Sequence, residues 1–240
     1  MIRKIKAIVR ENRDNQQLII RQNIELEWAN IYHDSIRGKL HLQNLSLNIG
    51  RWAGNYAFFY ILNRIMSDVK PKNILEFGLG ESSKFISTCI KHEIPNANHQ
   101  IIEQSEDWSK HFQLRFELSE ASKITICPLI KKQINNFEVN CYDGLEDNIS
   151  GTFDFYLVDG PLGSSHFSRY DILKMAERLS HDHQFIILID DYDRVGEQET
   201  AQALVDLFQK KQINTYTSSF EGIKKVWMLV SSDYRFLTTI

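Results

Sequence analysis

From Asn73 onward, short apolar runs alternate with stretches whose apolar residues recur every three or four positions, and few folds accept that order. Ile74, Leu75 and Phe77 read as a first buried strand, His99 to Glu103 as a second, and Lys123 to Ile130 as a third, rich in β-branched residues. Phe153 to Val158 is a fourth, stopped by Asp159-Gly160-Pro161. Gln184 to Ile189 is a fifth, nearly all apolar, as a central parallel strand covered on both faces should be. Helical stripes lie between them: Phe85, Ile86, Cys89 and Ile90; Trp108, Phe112 and Phe116; Ile172, Met175, Ala176 and Leu179; Ala201, Leu204, Val205 and Phe208. Two last runs, Asn214 to Phe220 and Lys225 to Val230, are joined only by Glu221-Gly222-Ile223-Lys224. That link permits a hairpin but no helical crossover. The pattern predicts a doubly wound α/β sheet of seven strands, mostly parallel, ending in an antiparallel hairpin.

The first seventy residues differ, and the reading divides the chain into a helical extension over 1–70 and an α/β domain over 71–240. Met1 to about Ile36 reads as a helix with Ile20, Ile24, Trp28 and Ile31 on one side and a basic start. Such a helix packs on the domain or on a second subunit, so a homo-oligomer through it is an expectation, with attachment to an anionic membrane the lesser alternative. Trp52 to Met66 is apolar almost all round and reads as a core helix laid over the sheet. A net charge of −3 gives no reason to expect nucleic acid, and no apolar run approaches the roughly 20 residues that span a bilayer. Basic residues interrupt the apolar ones at the N-terminus, so no secretory segment is read there. Three cysteines, odd in number and without metal-ligand spacing, suit a reducing cytoplasm.

Ligands of open α/β sheets bind outside the carboxyl ends of the strands, and three positions there hold the candidate chemistry. At the first, Gly78 and Gly80 form a tight turn, with Ser82 or Ser83 capping the helix that follows. Glu76 precedes that turn by two residues; its carboxylate would repel a pyrophosphate and suit a ligand with an ammonium group. The spacing is G-x-G-x-x-S, so the dinucleotide fingerprint is incomplete. At the second position Glu103 closes its strand, where an acid can accept ribose hydroxyls. The third is the set Asp159, Asp190 and Asp191 on one rim. A hard divalent cation such as Mg²⁺, pairing with Arg169 or Arg194, and helix capping would each satisfy these carboxylates. His166, in the loop beyond Pro161, is the histidine placed to act as a base, with Asp159 or Asp191 as alternatives. Tyr142 and Asp143 either shape the ligand side or form a simple Asp-Gly turn.

The segment Ile74-Leu-Glu-Phe-Gly-Leu-Gly-Glu-Ser-Ser83 resembles motif I of class I S-adenosylmethionine-dependent methyltransferases. The order Asp159-Gly160-Pro161, Arg169, Asp190-Asp191, Arg194 and Glu197 is similar to a subgroup containing glycan O-methyltransferases. The likeness covers Ile74 to the C-terminus. It implies a Rossmann-like fold and S-adenosylmethionine as cofactor, held by Glu76, Gly78, Gly80, Ser82, Ser83 and Glu103. It also implies methyl transfer to a hydroxyl of a glycan or other small molecule, with Asp159, His166 and Asp191 as catalytic candidates. Cation-dependent catechol-type O-methyltransferases are similar in part: Asp159, Asp190 and Asp191 match their metal-ligand places, while Leu162 stands where they carry a lysine. Two other classes compete: an NAD-binding oxidoreductase, opposed by Glu76 and the missing glycine, and a non-catalytic methyltransferase-like assembly domain.

Overall fold

The structure is a computed structural model and describes residues 2–50 and 52–239. Its centre is a seven-stranded sheet built from β1 (Asn73–Phe77), β2 (Asn98–Glu103), β3 (Ser122–Ile126), β6 (Phe155–Val158), β7 (Ile186–Ile189), β8 (Thr215–Glu221) and β9 (Lys225–Ser231). The order across the sheet is β3-β2-β1-β6-β7-β9-β8, with β9 antiparallel to both β7 and β8. The expected fold class is thus what the chain adopts, with the antiparallel strand coming from the terminal hairpin. Reversal of strand order between β1 and β6 leaves a crevice at their carboxyl ends, where the candidate residues gather.

Strand alternation sends neighbouring residues to opposite faces. Ile74, Leu157, Leu188 and Met228 join one core with Phe58, Phe59, Ile61, Phe85 and Ile86 from α3 (Tyr56–Arg64) and α4 (Glu81–His92). Leu75, Tyr156, Ile187 and Leu229 join the other, with Ile172 from α7 (Asp171–Ala176) and Leu204 and Phe208 from α8 (Val195–Lys210). On the outer edge, Phe112 of α5 (Glu106–Gln113) packs on Ile101.

Three elements depart from the expectations. The run Lys123–Ile130 is not one strand: Pro128 lacks the N–H that a continuing ladder needs, and β3 stops at Ile126. The chain then forms a separate hairpin of β4 (Leu129–Ile134) and β5 (Phe137–Tyr142). Asn135 and Asn136 turn it, both with positive φ (47° and 69°), a conformation asparagine tolerates. Tyr142 therefore closes a strand, and the Asp143-Gly144 turn, one of its expected readings, leads into the short α6 (Leu145–Asn148). The core helix begins not at Trp52 but at Tyr56, because the Asn55 side chain caps it by accepting from Phe58 N at 3.0 Å. Trp52 is left 97% exposed. The stripes Trp108–Phe116 and Ile172–Leu179 outrun their helices, which end at Gln113 and Ala176.

The N-terminal helix α1 (Ile2–Ser35) is as expected, although Met1 lies outside the described residues. Residues 6–23 are exposed, and packing begins at Ile24 and Glu25. The Glu25 carboxylate accepts from Tyr56 N (2.7 Å), Asn55 Nδ2 (2.9 Å) and Ile223 N (2.8 Å). Trp28 Nε1 donates to Glu221 O at 2.9 Å. Tyr32 and Ile36, with Leu42 from α2 (Leu40–Gln43), complete the core over α3 and α4. Among the described residues, no helix is long and apolar enough to cross a membrane.

Candidate functional site

At the sheet's switch point the chain leaving β1 and the chain leaving β6 meet at two glycines, Gly78 and Gly160. Gly78 leaves β1 with φ +98°, a left-handed conformation that glycine alone adopts without strain, and its N–H donates to Ile102 O at 2.8 Å. A Cβ on Gly78 would stand 3.1 Å from the Asp159 carbonyl oxygen. One on Gly160 would stand 2.5 Å from Tyr142 Oη and 2.8 Å from Gly78 N. Gly80 then caps α4, its N–H donating to Ser83 Oγ at 3.0 Å. The helix therefore begins at Glu81, one residue before the expected caps, and Ser82 and Ser83 sit buried in its first turn.

Around this turn opens a cavity of about 860 Å³, a size usual for small-molecule sites. Gly78, Gly80, Glu103, Asp159 and Asp191 of the expected set line it. Glu76 does not. Its carboxylate is fully buried, accepting from Ser82 Oγ and lying 2.9 Å from His99 Nε2, whose Nδ1 is 3.0 Å from Ser122 Oγ. The acid thus braces the start of α4 against β2, and Ser82 and Ser83, also outside the cavity wall, share that supporting place. His166 is likewise elsewhere: its ring stacks on Phe137 at 3.9 Å and its Nδ1 is 2.9 Å from Glu199 Oε1, away from the cavity wall. Tyr142 lines the cavity but Asp143 does not. Burial, and after it the Glu103 charge, hold the Tyr142 phenol well above its usual range, so it stays protonated.

Glu103 is held by three backbone N–H groups. Oε1 accepts from Gln104 N and Ser105 N, both at 2.8 Å, and Oε2 accepts from Leu79 N at 3.1 Å. A carboxylate has about four acceptor positions, so one stays open toward the cavity. Trp108 Nε1 donates to Leu79 O at 2.7 Å, which lays its indole along the same wall. The loop before α3, including Asn48 and Trp52, also lines the cavity. Sequence reasoning missed both tryptophans, because helix spacing alone placed them in the core.

Beyond the turn lies a charged rim. Asp159, Asp190 and Asp191 can bring one oxygen each within 4.8 Å of one another. Arg169 is 4% exposed and sits among them, with Nη2 3.2 Å from Asp159 Oδ1 and 2.9 Å from Asp191 Oδ2. Its Nη1 donates to Val158 O (3.2 Å) and Asp190 O (2.9 Å), and its Nε is 3.6 Å from Glu197 Oε1. Arg194 Nη1 lies 3.0 Å from Asp191 Oδ2. Lys224, from the β8–β9 turn, lies 3.0 Å from Asp191 Oδ1 and 3.5 Å from Asp190 Oδ2, and donates to Ala53 O at 3.1 Å. Arg169 and Asp191 both have positive φ (58° and 57°), which costs a non-glycine residue about 1–3 kcal/mol. Of the three expectations for these carboxylates, arginine pairing is what the geometry contains. Lys224 had no sequence signal: a lysine in a polar turn reads as solvated.

The residues do not fit a bound divalent cation. The space between the carboxylates already carries a guanidinium and an ammonium: Asp159 and Asp191 face Arg169, while Asp190 and Asp191 face Lys224. Burial, then the Asp190 charge, push the Asp159 carboxyl up to about 8 against the opposing pull of Arg169. Burial raises Asp190 too, whereas Asp191 falls below the usual carboxylate range because Arg169 and Lys224 outweigh its burial.

No protein-family model matches this sequence, and no curated protein does. Solved structures do. An O-methyltransferase from Bacillus cereus in complex with SAH is 13% identical, with 85% of this chain and 91% of that chain covered at a TM-score of 0.51. The SAH-bound Podospora anserina methyltransferase PaMTH1 is 15% identical, with 86% and 88% covered at a TM-score of 0.49. At such identities the likeness is one of fold: the chain has a Rossmann-like methyltransferase fold.

Proposed function

We propose that this chain is an S-adenosylmethionine-dependent methyltransferase that methylates a hydroxyl of a sugar or other small molecule. The observation that carries this reading is the cavity at the glycine turn, with the firmly held Glu103 carboxylate on one wall and Asp159 on the other. Gly78 and Gly80 let the cofactor lie against the backbone, Glu103 takes a ribose hydroxyl, and Trp108 offers an apolar face to the base. The O-methyltransferase from Bacillus cereus, solved in complex with SAH, shares this fold and agrees with the reading.

Methyl transfer is an in-line displacement at carbon, and the protein's work is alignment, exclusion of water and removal of a proton. The acceptor O–H gives its proton to Asp159 as its oxygen bonds the methyl carbon. S-adenosylmethionine held at Gly78, Gly80 and Glu103 would supply the activated methyl group and leave as S-adenosylhomocysteine (SAH), and Asp159 later releases its proton to solvent. Asp159 suits the task better than His166 because it lines the cavity, with about 22% of its side chain exposed. Arg169 keeps its carboxylate aimed.

Calorimetry with SAH, S-adenosylmethionine and NAD tests the cofactor assignment: the first two bind and NAD does not. Glu103→Ala is expected to weaken SAH binding about ten- to a hundred-fold, since hydrogen bonds to a charged group contribute roughly 1.5–3 kcal/mol. Unchanged affinity would remove Glu103 from the site. A panel of glycosides and polyols, read by mass spectrometry for an added methyl group, finds the acceptor. With it, kcat/KM should rise with pH and level off above about 8, because the base acts only when ionised. Stability should move the other way. Folded Asp159 keeps a proton that the unfolded chain releases near the ordinary aspartate value of 3.8, so its contribution falls as pH rises from there toward about 8.

A further inference from the structure

The three rim acids stand where a metal-assisted transferase would hold its ion, yet their neighbours are cations supplied by this chain. Arg169 arrives from the loop before α7, Arg194 from the start of α8, and Lys224 from the far hairpin. Counting Glu197, four carboxylates face three permanent positive groups in a largely buried cluster. Within the acid set, the Asp190 oxygens are the opening for an ion, being fully buried without a hydrogen-bond partner among the described residues. The Lys224 ammonium lies over them at 3.5 Å and is 15% exposed. Burial by itself would lower that ammonium, but Asp190 and Asp191 outweigh it and keep it charged.

We infer that Lys224 and Arg169 take the electrostatic place of a divalent metal, so that the rim is closed to metal ions and Lys224 is the cation it presents to the acceptor oxygen. The inference rests on the proposed methyl transfer for the identity of that oxygen, but the closure of the rim does not depend on it. Three features carry it. Lys224 lines the cavity, its position is fixed by the Ala53 carbonyl, and its two nearest carboxylates belong to the acid set. An ammonium at that point does for an oxygen losing its proton what a Lewis acid would do: it stabilises the growing negative charge.

Mn²⁺ is the probe, followed by electron paramagnetic resonance on the full chain. The wild type, with and without SAH, should hold no Mn²⁺ at about 1 mM, whereas Lys224→Ala leaves four carboxylates against two cations and should bind one ion at least about tenfold more tightly. Lys224→Met keeps the aliphatic stem and should behave likewise if the alanine variant fails to fold. Lys224→Arg keeps the charge and should stay metal-free. Wild-type binding of one Mn²⁺ as tight as in Lys224→Ala would overturn the inference. So would a folded Lys224→Met that gains nothing, or a Lys224→Arg that gains as much. Calorimetry with SAH on the same samples separates the two readings: absent SAH binding defeats the cofactor assignment, while the Mn²⁺ result still decides the rim.

Discussion

Gly160→Ala should weaken SAH binding about five- to 150-fold, the equivalent of the roughly 1–3 kcal/mol that overpacking costs in a tightly filled interior. The added methyl would stand 2.5 Å from Tyr142 Oη and 2.9 Å from Gly78 Cα, so the β1 and β6 ends must part. Neither neighbour is a flexible side-chain tip: one is the backbone of the glycine turn, and the other is a fully buried phenol stacked on Phe77. Calorimetry with SAH reads the effect directly. Gly151→Ala is the comparison, because a Cβ there meets no atom within 4 Å although its φ is +83°. Its cost should be backbone strain in stability alone, with SAH affinity unchanged. Equal affinity of Gly160→Ala and wild type would mean that the cofactor does not rest on this turn.

The second large effect concerns Arg169. Arg169→Met removes the guanidinium from between Asp159, Asp191 and Glu197 and should destabilise the fold by about 3–5 kcal/mol, the usual consequence of leaving buried charge unpaired. Two carbonyl oxygens, of Val158 and Asp190, lose their donor in the same change. Urea unfolding measures the loss. It should shrink at acid pH, where the carboxylates take up protons and need no counter-charge. A variant as stable as the wild type near neutral pH would show that the cluster is balanced by its other cations alone.

Much of the sheet was legible because burial on two faces forces recognisable strands: Phe155–Val158 and Ile186–Ile189 are buried at every residue. The Asn-Asn turn at 135–136 and the break at Pro128 were equally readable, but a long run of strand-forming residues masked them. At the site, sequence named positions better than roles. Gly78, Gly80, Glu103, Asp159 and Asp191 meet at one cavity because strand ends in a parallel sheet must. Glu76 shares its sheet face with Glu103 and Asp159 but sits two residues deeper than the glycine turn, where Ser82 and a histidine 23 residues downstream hold its carboxylate. Lys224 shows the limit of local reading: its carboxylate partners sit on another strand end, and no spacing rule connects a hairpin turn to the Asp190-Asp191 pair.

The grip of Glu25 on Ile223 ties the long N-terminal arm to the turn that carries Lys224, and Gly222 is small because that carboxylate passes beside it. The position of Lys224 on the rim therefore depends on an anchor on the first helix. Trimming the arm only as far as Glu25 would keep the core helices and yet free the turn beneath its ammonium, a change that a screen scoring solubility alone would pass over.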